Sequence, residues 1–125
     1  MLTCIAKTMI LAISKSKPDD NYIKVSISEK LSKYNENKEL DALIESNYKE
    51  GIKFFLLDLS KLTYINSIGI NTITSCIKKA SSLNTKVILF GLEHHIEDAI
   101  KISCIHHVAP VVKTEEEALQ YMSSH

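Results

Sequence analysis

The chain has 125 residues, of which 45% are hydrophobic and 24% charged, with two Pro and three Gly. That is the size of one domain, expected to span residues 1–125, and the apolar content excludes a disordered chain. Fifteen Lys balance fifteen Asp plus Glu, and Arg is absent; neither a net positive field nor a guanidinium fork draws the molecule to nucleic acid or an anionic bilayer. Cys4, Cys76 and Cys104 are too few and odd in number for a disulfide scaffold, which points to a reducing, cytoplasmic location. The apolar stretch Met9 to Ile13 is too short for a signal-peptide core. The longest uncharged segment, Leu62 to Ile77, contains Asn66, Ser67, Gly69, Asn71 and Ser75 and is shorter than the ~18 residues of a spanning helix, so no membrane insertion is expected.

Met9, Leu11 and Ile13, then Ile23, Val25 and Ile27, alternate with other residues as half-buried strands do, around a turn at Lys17-Pro18-Asp19-Asp20-Asn21. A polar stretch from Ser28 to Asn37 precedes a helix marked by Leu40, Leu43, Ile44 and Tyr48, with Gly51 placed as a C-cap. Lys53 to Asp58 is continuously apolar until its final acid, as in a strand covered on both faces. After a connection from Leu59 to Ile65, Ile70, Ile73 and Ile77 define a helix from about Ser67 to Leu83. Lys86 to Gly91 is a second buried strand, and Ile96, Ala99 and Ile100 mark a third helix. Val108 to Val112 is a short strand whose Pro110 points to a sheet edge. Thr114 and Glu117 have the spacing of a capping box before a last helix. The order ββαβαβαβα predicts an α/β fold: a mixed, mostly parallel sheet of about five strands with four helices packed against it. In such sheets ligands and partners meet the carboxyl ends of the strands.

The segment from Asp58 to Ile70 lies at such an end. Asn66 is a favoured N-cap, which places Ser67 at the first helical position beside unpaired backbone N–H groups and the positive end of the helix dipole. Those groups welcome a phosphate. Gly69 costs ~1 kcal/mol against Ala within a helix, so close packing against its backbone is expected. On spacing alone, simple capping of a helix remains the plainer reading of Asn66 and Ser67.

Asn66-Ser67-Ile68-Gly69-Ile70 after a strand ending in Asp58 resembles the signature of the STAS domain in the anti-sigma factor antagonist family. The order of elements agrees over nearly the whole chain. The resemblance implies a switch protein with no catalysis of its own and no cofactor. Its implied partners are an anti-sigma factor that is also a serine kinase, bound by the unmodified form and released by phosphorylation at Ser67, and a serine phosphatase that reverses the modification. The partner-binding residues it implies are Asp58, Ser60, Lys61, Thr63, Tyr64, Asn66, Ser67, Ile68 and Gly69. The chain departs from the family in having Asn66 where an aspartate is usual, and Ser28-Glu29-Lys30-Leu31 with a longer polar loop where a short glycine-acid-leucine-aspartate turn is usual. The alternative is a STAS-type interaction or ligand-binding subunit of a transporter or signalling complex, in which Ser67 only caps a helix.

A third class, a metalloprotein or thiol enzyme, is raised by His94-His95, His106-His107 and Cys104. The two histidine pairs flank a helix and should lie ~15 Å apart, which argues against one shared site. No metal is expected, and no P-loop, dinucleotide fingerprint or paired-carboxylate motif is present.

Overall fold

Two kinds of strand organise the sheet. In β2 (Tyr22–Ile27) every second residue is buried, whereas in β4 (Phe54–Asp58) and β6 (Lys86–Phe90) four successive side chains are buried. Alternation belongs to a half-covered strand and a continuous apolar run to one covered on both faces. The computed structural model describes residues 10–14, 22–27, 30–31, 34–48, 52–103 and 105–124. The strand order is β1 (Ile10–Ser14), β2, β4, β6 and β7 (Val111–Val112), with β1 antiparallel to β2 and the remaining pairs parallel. The helices are α1 (Tyr34–Asn47), α2 (Ser67–Ser82), α3 (His94–Ile102) and α4 (Glu115–Ser124). This is the mixed, mostly parallel five-stranded sheet with four helices expected from the sequence.

Register sorts the core. Ile23, Phe55 and Val87 lie side by side across β2, β4 and β6, as do Val25, Leu57 and Leu89. They form one cluster with Leu40 and Ile44 of α1, Ile73, Cys76 and Ala80 of α2, and Ile96 and Ile100 of α3. The opposite face, with Phe54, Leu56, Ile88 and Phe90, is packed by Ala118, Tyr121 and Met122 of α4. Thr114 Oγ1 accepts from Glu117 N at 3.1 Å, and Glu117 Oε1 accepts from Lys113 N at 2.8 Å. The expected capping box is therefore closed one residue further upstream than its usual form. Lys24 Nζ reaches Glu115 at 3.2 Å, joining β2 to the start of α4.

Several boundaries differ from the sequence reading, each for a local reason. Helix α1 starts at Tyr34, inside the stretch read as polar loop, because Asn35 to Glu39 carries no apolar period to betray it. β7 is confined to Val111–Val112 at the sheet edge, with Pro110 just outside it. Proline has no N–H to donate, but its carbonyl accepts from Leu89 N at 3.0 Å. A two-stranded parallel sheet of β3 (Lys30–Leu31) and β5 (Tyr64–Ile65) was not foreseen. Helix α2 closes with Asn84 at φ +59°, Asn84 N on Ser81 O and Thr85 N on Ala80 O, a Schellman ending in which Asn replaces the usual Gly. The turn at residues 17–21, the Gly51 cap, Cys4 and Cys104 lie outside the described residues.

Candidate functional site

The end of β4 and the start of α2 are joined by the eight residues 59–66. Asp58 closes the strand, and its Oδ1 accepts from Ser60 N at 3.0 Å and from Ser60 Oγ at 2.7 Å. An aspartate folding back on the second residue after it is an Asx turn, which reverses the chain without another element's help. Leu59 and Leu62 drive into the core, fully buried, and Leu62 N bonds Leu59 O at 3.0 Å. These two anchors leave Ser60, Lys61 and Thr63 exposed. The chain then pairs with β3 through Tyr64 and Ile65, which places Lys30 opposite Tyr64 and Leu31 opposite Ile65. Tyr64 is 48% exposed, while Ile65 packs on the core.

Asn66 occupies the N-cap of α2 in extended conformation (φ −124°, ψ −171°), and its Oδ1 accepts from Gly69 N at 3.0 Å. The amide oxygen thus caps the helix as a carboxylate at this position would, without its charge. Ser67 is exposed at the first helical position, and the first turn of α2 carries no acidic residue. The backbone N–H groups of that turn contribute a field that is positive toward an incoming anion. Ile68 is half-buried and Gly69 buried, so Gly69 serves the cap with its N–H and offers no surface of its own.

The neighbouring connection between β6 and α3 fastens the loop from the side. Leu59 N bonds Phe90 O at 3.0 Å, and His95 Nε2 lies 2.8 Å from Thr63 O. Gly91 adopts φ +80°, and a Cβ placed there would lie 3.1 Å from Ser60 Cβ and 3.2 Å from Ser60 N. Glycine is required at this point both by conformation and by the approach of the Ser60 turn. Neither role shows in the sequence, where Gly91 reads as a strand end and His95 as a possible ligand. No pattern within the chain links His95 to Thr63, 32 residues away.

Among the described residues His94 and His95 of the competing chemistry sit in surface pairs. His94 lies 3.4 Å from Asp98 and His95 3.4 Å from Glu93, both as exposed pairs. Among the described residues no group of three His, Cys, Asp or Glu is placed to hold a metal; Cys104 lies outside them. Cys76 of α2 is buried in the main core, and burial, with the Asp41 carboxylate second, pushes its thiol far above the ordinary value. A thiol so held is no nucleophile. No described helix is long and apolar enough to cross a membrane.

A five-stranded mixed sheet with a capped serine at the head of the helix after its central strand defines a recognised class of domain. The STAS domain family matches residues 12–118, and the chain belongs to it. It is 23% identical over 109 residues to the anti-sigma-B factor antagonist of Listeria monocytogenes, covering 87% of this chain and 95% of that protein. Its fold is similar to that of the anti-sigma factor antagonist SpoIIAA in its unphosphorylated form (TM-score 0.61, 10% identity, 90% and 96% of the two chains). It is similar also to a sulfate transporter family protein from Wolinella succinogenes (TM-score 0.70, 15% identity, 85% and 94%).

Proposed function

We propose that the protein is an anti-sigma factor antagonist, a cytoplasmic, non-enzymatic switch. Unmodified, it binds an anti-sigma factor that is also a serine kinase; phosphorylated at Ser67 it is released, and a serine phosphatase restores it. The observation that carries this reading is Ser67 itself, an exposed hydroxyl at the head of α2 with no acidic residue in that turn. A phosphoryl group adds about −1.5 to −2 charges. The helix N-terminus accommodates that charge, so the domain stays folded. A partner lying over Lys61, Thr63, Tyr64 and Ile68 has to desolvate or oppose the same charge, which costs several kcal/mol where it supplies no cation.

The exposed hydroxyl of Ser60 in the same loop makes a contrast with Ser67. Ser60 Oγ is already committed to the Asp58 carboxylate at 2.7 Å. A phosphate there would face a carboxylate at contact distance and undo the Asx turn, whereas at Ser67 it meets amide hydrogens. Asp58 and Ser60 are thus read as shaping the docking loop, and Asn66 and Gly69 as forming the cap beneath the modified residue.

Titration calorimetry of the Ser67→Ala and Ser67→Asp variants against the cognate anti-sigma kinase tests this. Ser67→Ala should bind like the unmodified protein and Ser67→Asp at least about tenfold more weakly, since a factor of ten needs only ~1.4 kcal/mol. Equal affinity of the two variants would refute the switch. A ligand copurifying with protein that never carries phosphate at Ser67 would instead favour an interaction or ligand-binding subunit of a transporter or signalling complex.

A further inference from the structure

We infer that the groove between α3 and β7 is a second part of the docking site, taking an extended segment of the anti-sigma factor that carries an apolar side chain and, beside Lys113, a carboxylate. This inference rests on the reading of residues 58–69 as the surface on which that partner lies. Parallel pairing ends the strands level: Asp58 of β4 lies opposite Phe90 of β6, and Phe90 opposite Val112 of β7. The docking loop leaves the first of these ends. The groove opens at the last, with Leu92, His94, Glu97, Val111, Val112 and Lys113 around a cavity of about 290 Å³. The contacts of Leu59 with Phe90 and of Thr63 with His95 make the loop and the β6–α3 connection one continuous surface. Two strand spacings separate β4 from β7, ~10 Å. A standard interface takes about 800 Å² from each partner, a disc about 30 Å across, so a protein seated on the loop extends over the groove.

The lining sets what kind of segment fits. Leu92, Val111 and Val112 are half-buried and give the groove an apolar floor. A second hollow of about 300 Å³ shares Glu97 and Val111 and continues to Ile100 and Lys101. From His94 to Lys101 the helix advances ~10 Å, the length of about three residues of extended chain. A trough of that shape suits a stretch of backbone rather than a compact molecule. It runs beside β7, the last strand of the sheet, which among the described residues has a strand neighbour on one side only. Of the rim's charges, Glu97 faces Lys101 at 3.9 Å and His94 faces Asp98 at 3.4 Å. Among the described residues Lys113 has no such match: its backbone N–H donates to Glu117 Oε1 at 2.8 Å, but its exposed ammonium is in no ion pair. The rim therefore sets an uncompensated cation next to the apolar floor at Val112, and the complementary segment pairs an apolar side chain with an acid.

Cross-saturation NMR reads the contact directly. With the labelled protein bound to the unlabelled cognate anti-sigma kinase, saturating the kinase should weaken the amide signals of Leu92, Val111, Val112 and Lys113 as well as those of residues 60–69. In calorimetry Lys113→Glu, which opposes the carboxylate, should bind about five- to tenfold more weakly. Its thermal midpoint should stay unchanged, because the side chain is exposed. Signal loss confined to residues 60–69, or equal affinity of Lys113→Glu, overturns the inference and leaves the reading of Ser67 standing. If the groove amides instead shift with the protein's own concentration, a second copy is the occupant and the inference falls. A kinase that does not bind at all removes the functional reading and the groove's occupant together.

Discussion

Replacing Gly91 by Ala should damage the site from outside the docking loop by crowding Ser60, and its cost can be worked from the geometry. At φ +80° an L side chain is in the left-handed region, which costs roughly 1–2 kcal/mol for Ala. The added Cβ also arrives 3.1 Å from Ser60 Cβ, 3.2 Å from Ser60 N and 3.4 Å from Ser60 Cα. These are mostly backbone positions, so no flexible tip can swing away. The Ser60 turn has to move a few tenths of an ångström while Asp58 holds its N–H and hydroxyl and Phe90 O holds Leu59 N. Crowding of this kind adds about 1 kcal/mol or more, for a total of ~2–4 kcal/mol. In a chain of this size that lowers the thermal midpoint by roughly 6–15 °C. Scanning calorimetry with urea unfolding measures it, and Gly91→Asn separates the two causes, since Asn tolerates positive φ but keeps the Cβ contact. A midpoint drop below ~2 °C for Gly91→Ala would refute the reasoning.

Two further outcomes follow from the cap and from the buried thiol. Asn66→Ala should lose ~1 kcal/mol of stability by freeing Gly69 N, and Asn66→Asp should match or exceed the unmodified protein because a carboxylate also favours the helix N-terminus; urea midpoints of the three proteins decide it. Cys76 keeps its proton in the folded state above the pH at which an exposed thiol loses it, ordinarily 9.0. The unfolded chain then binds fewer protons than the folded one, so this contribution is complete below pH 9.0 and declines as pH rises, by up to ~1.4 kcal/mol per unit. The stability difference between the unmodified protein and Cys76→Ala should shrink between pH 8 and pH 10, and a constant difference would contradict the assignment.

Much of this protein was legible along the chain because the signals are local. The alternation of Ile23, Val25 and Ile27 and the continuous run from Phe54 to Leu57 are consequences of how many faces of each strand are covered. The Asn66 cap is a contact between residues three apart, and it appears in the structure as a 3.0 Å bond. The start of α1 was hidden because polar residues can form a helix without marking a period. The short β3–β5 pair was hidden because two residues are too few to show one.

What the sequence by itself determined, then, is the order of the five main-sheet strands and four helices, the hydroxyl at the head of α2 and the family of the domain. Only the tertiary structure decided how the docking loop is held. Its ties run from Leu59 to Phe90, from Ser60 to Gly91 and from Thr63 to His95. Each joins residues about thirty positions apart, brought together when β4 and β6 pair in parallel. Contacts across a sheet depend on register and crossover, which no stretch of neighbouring residues encodes.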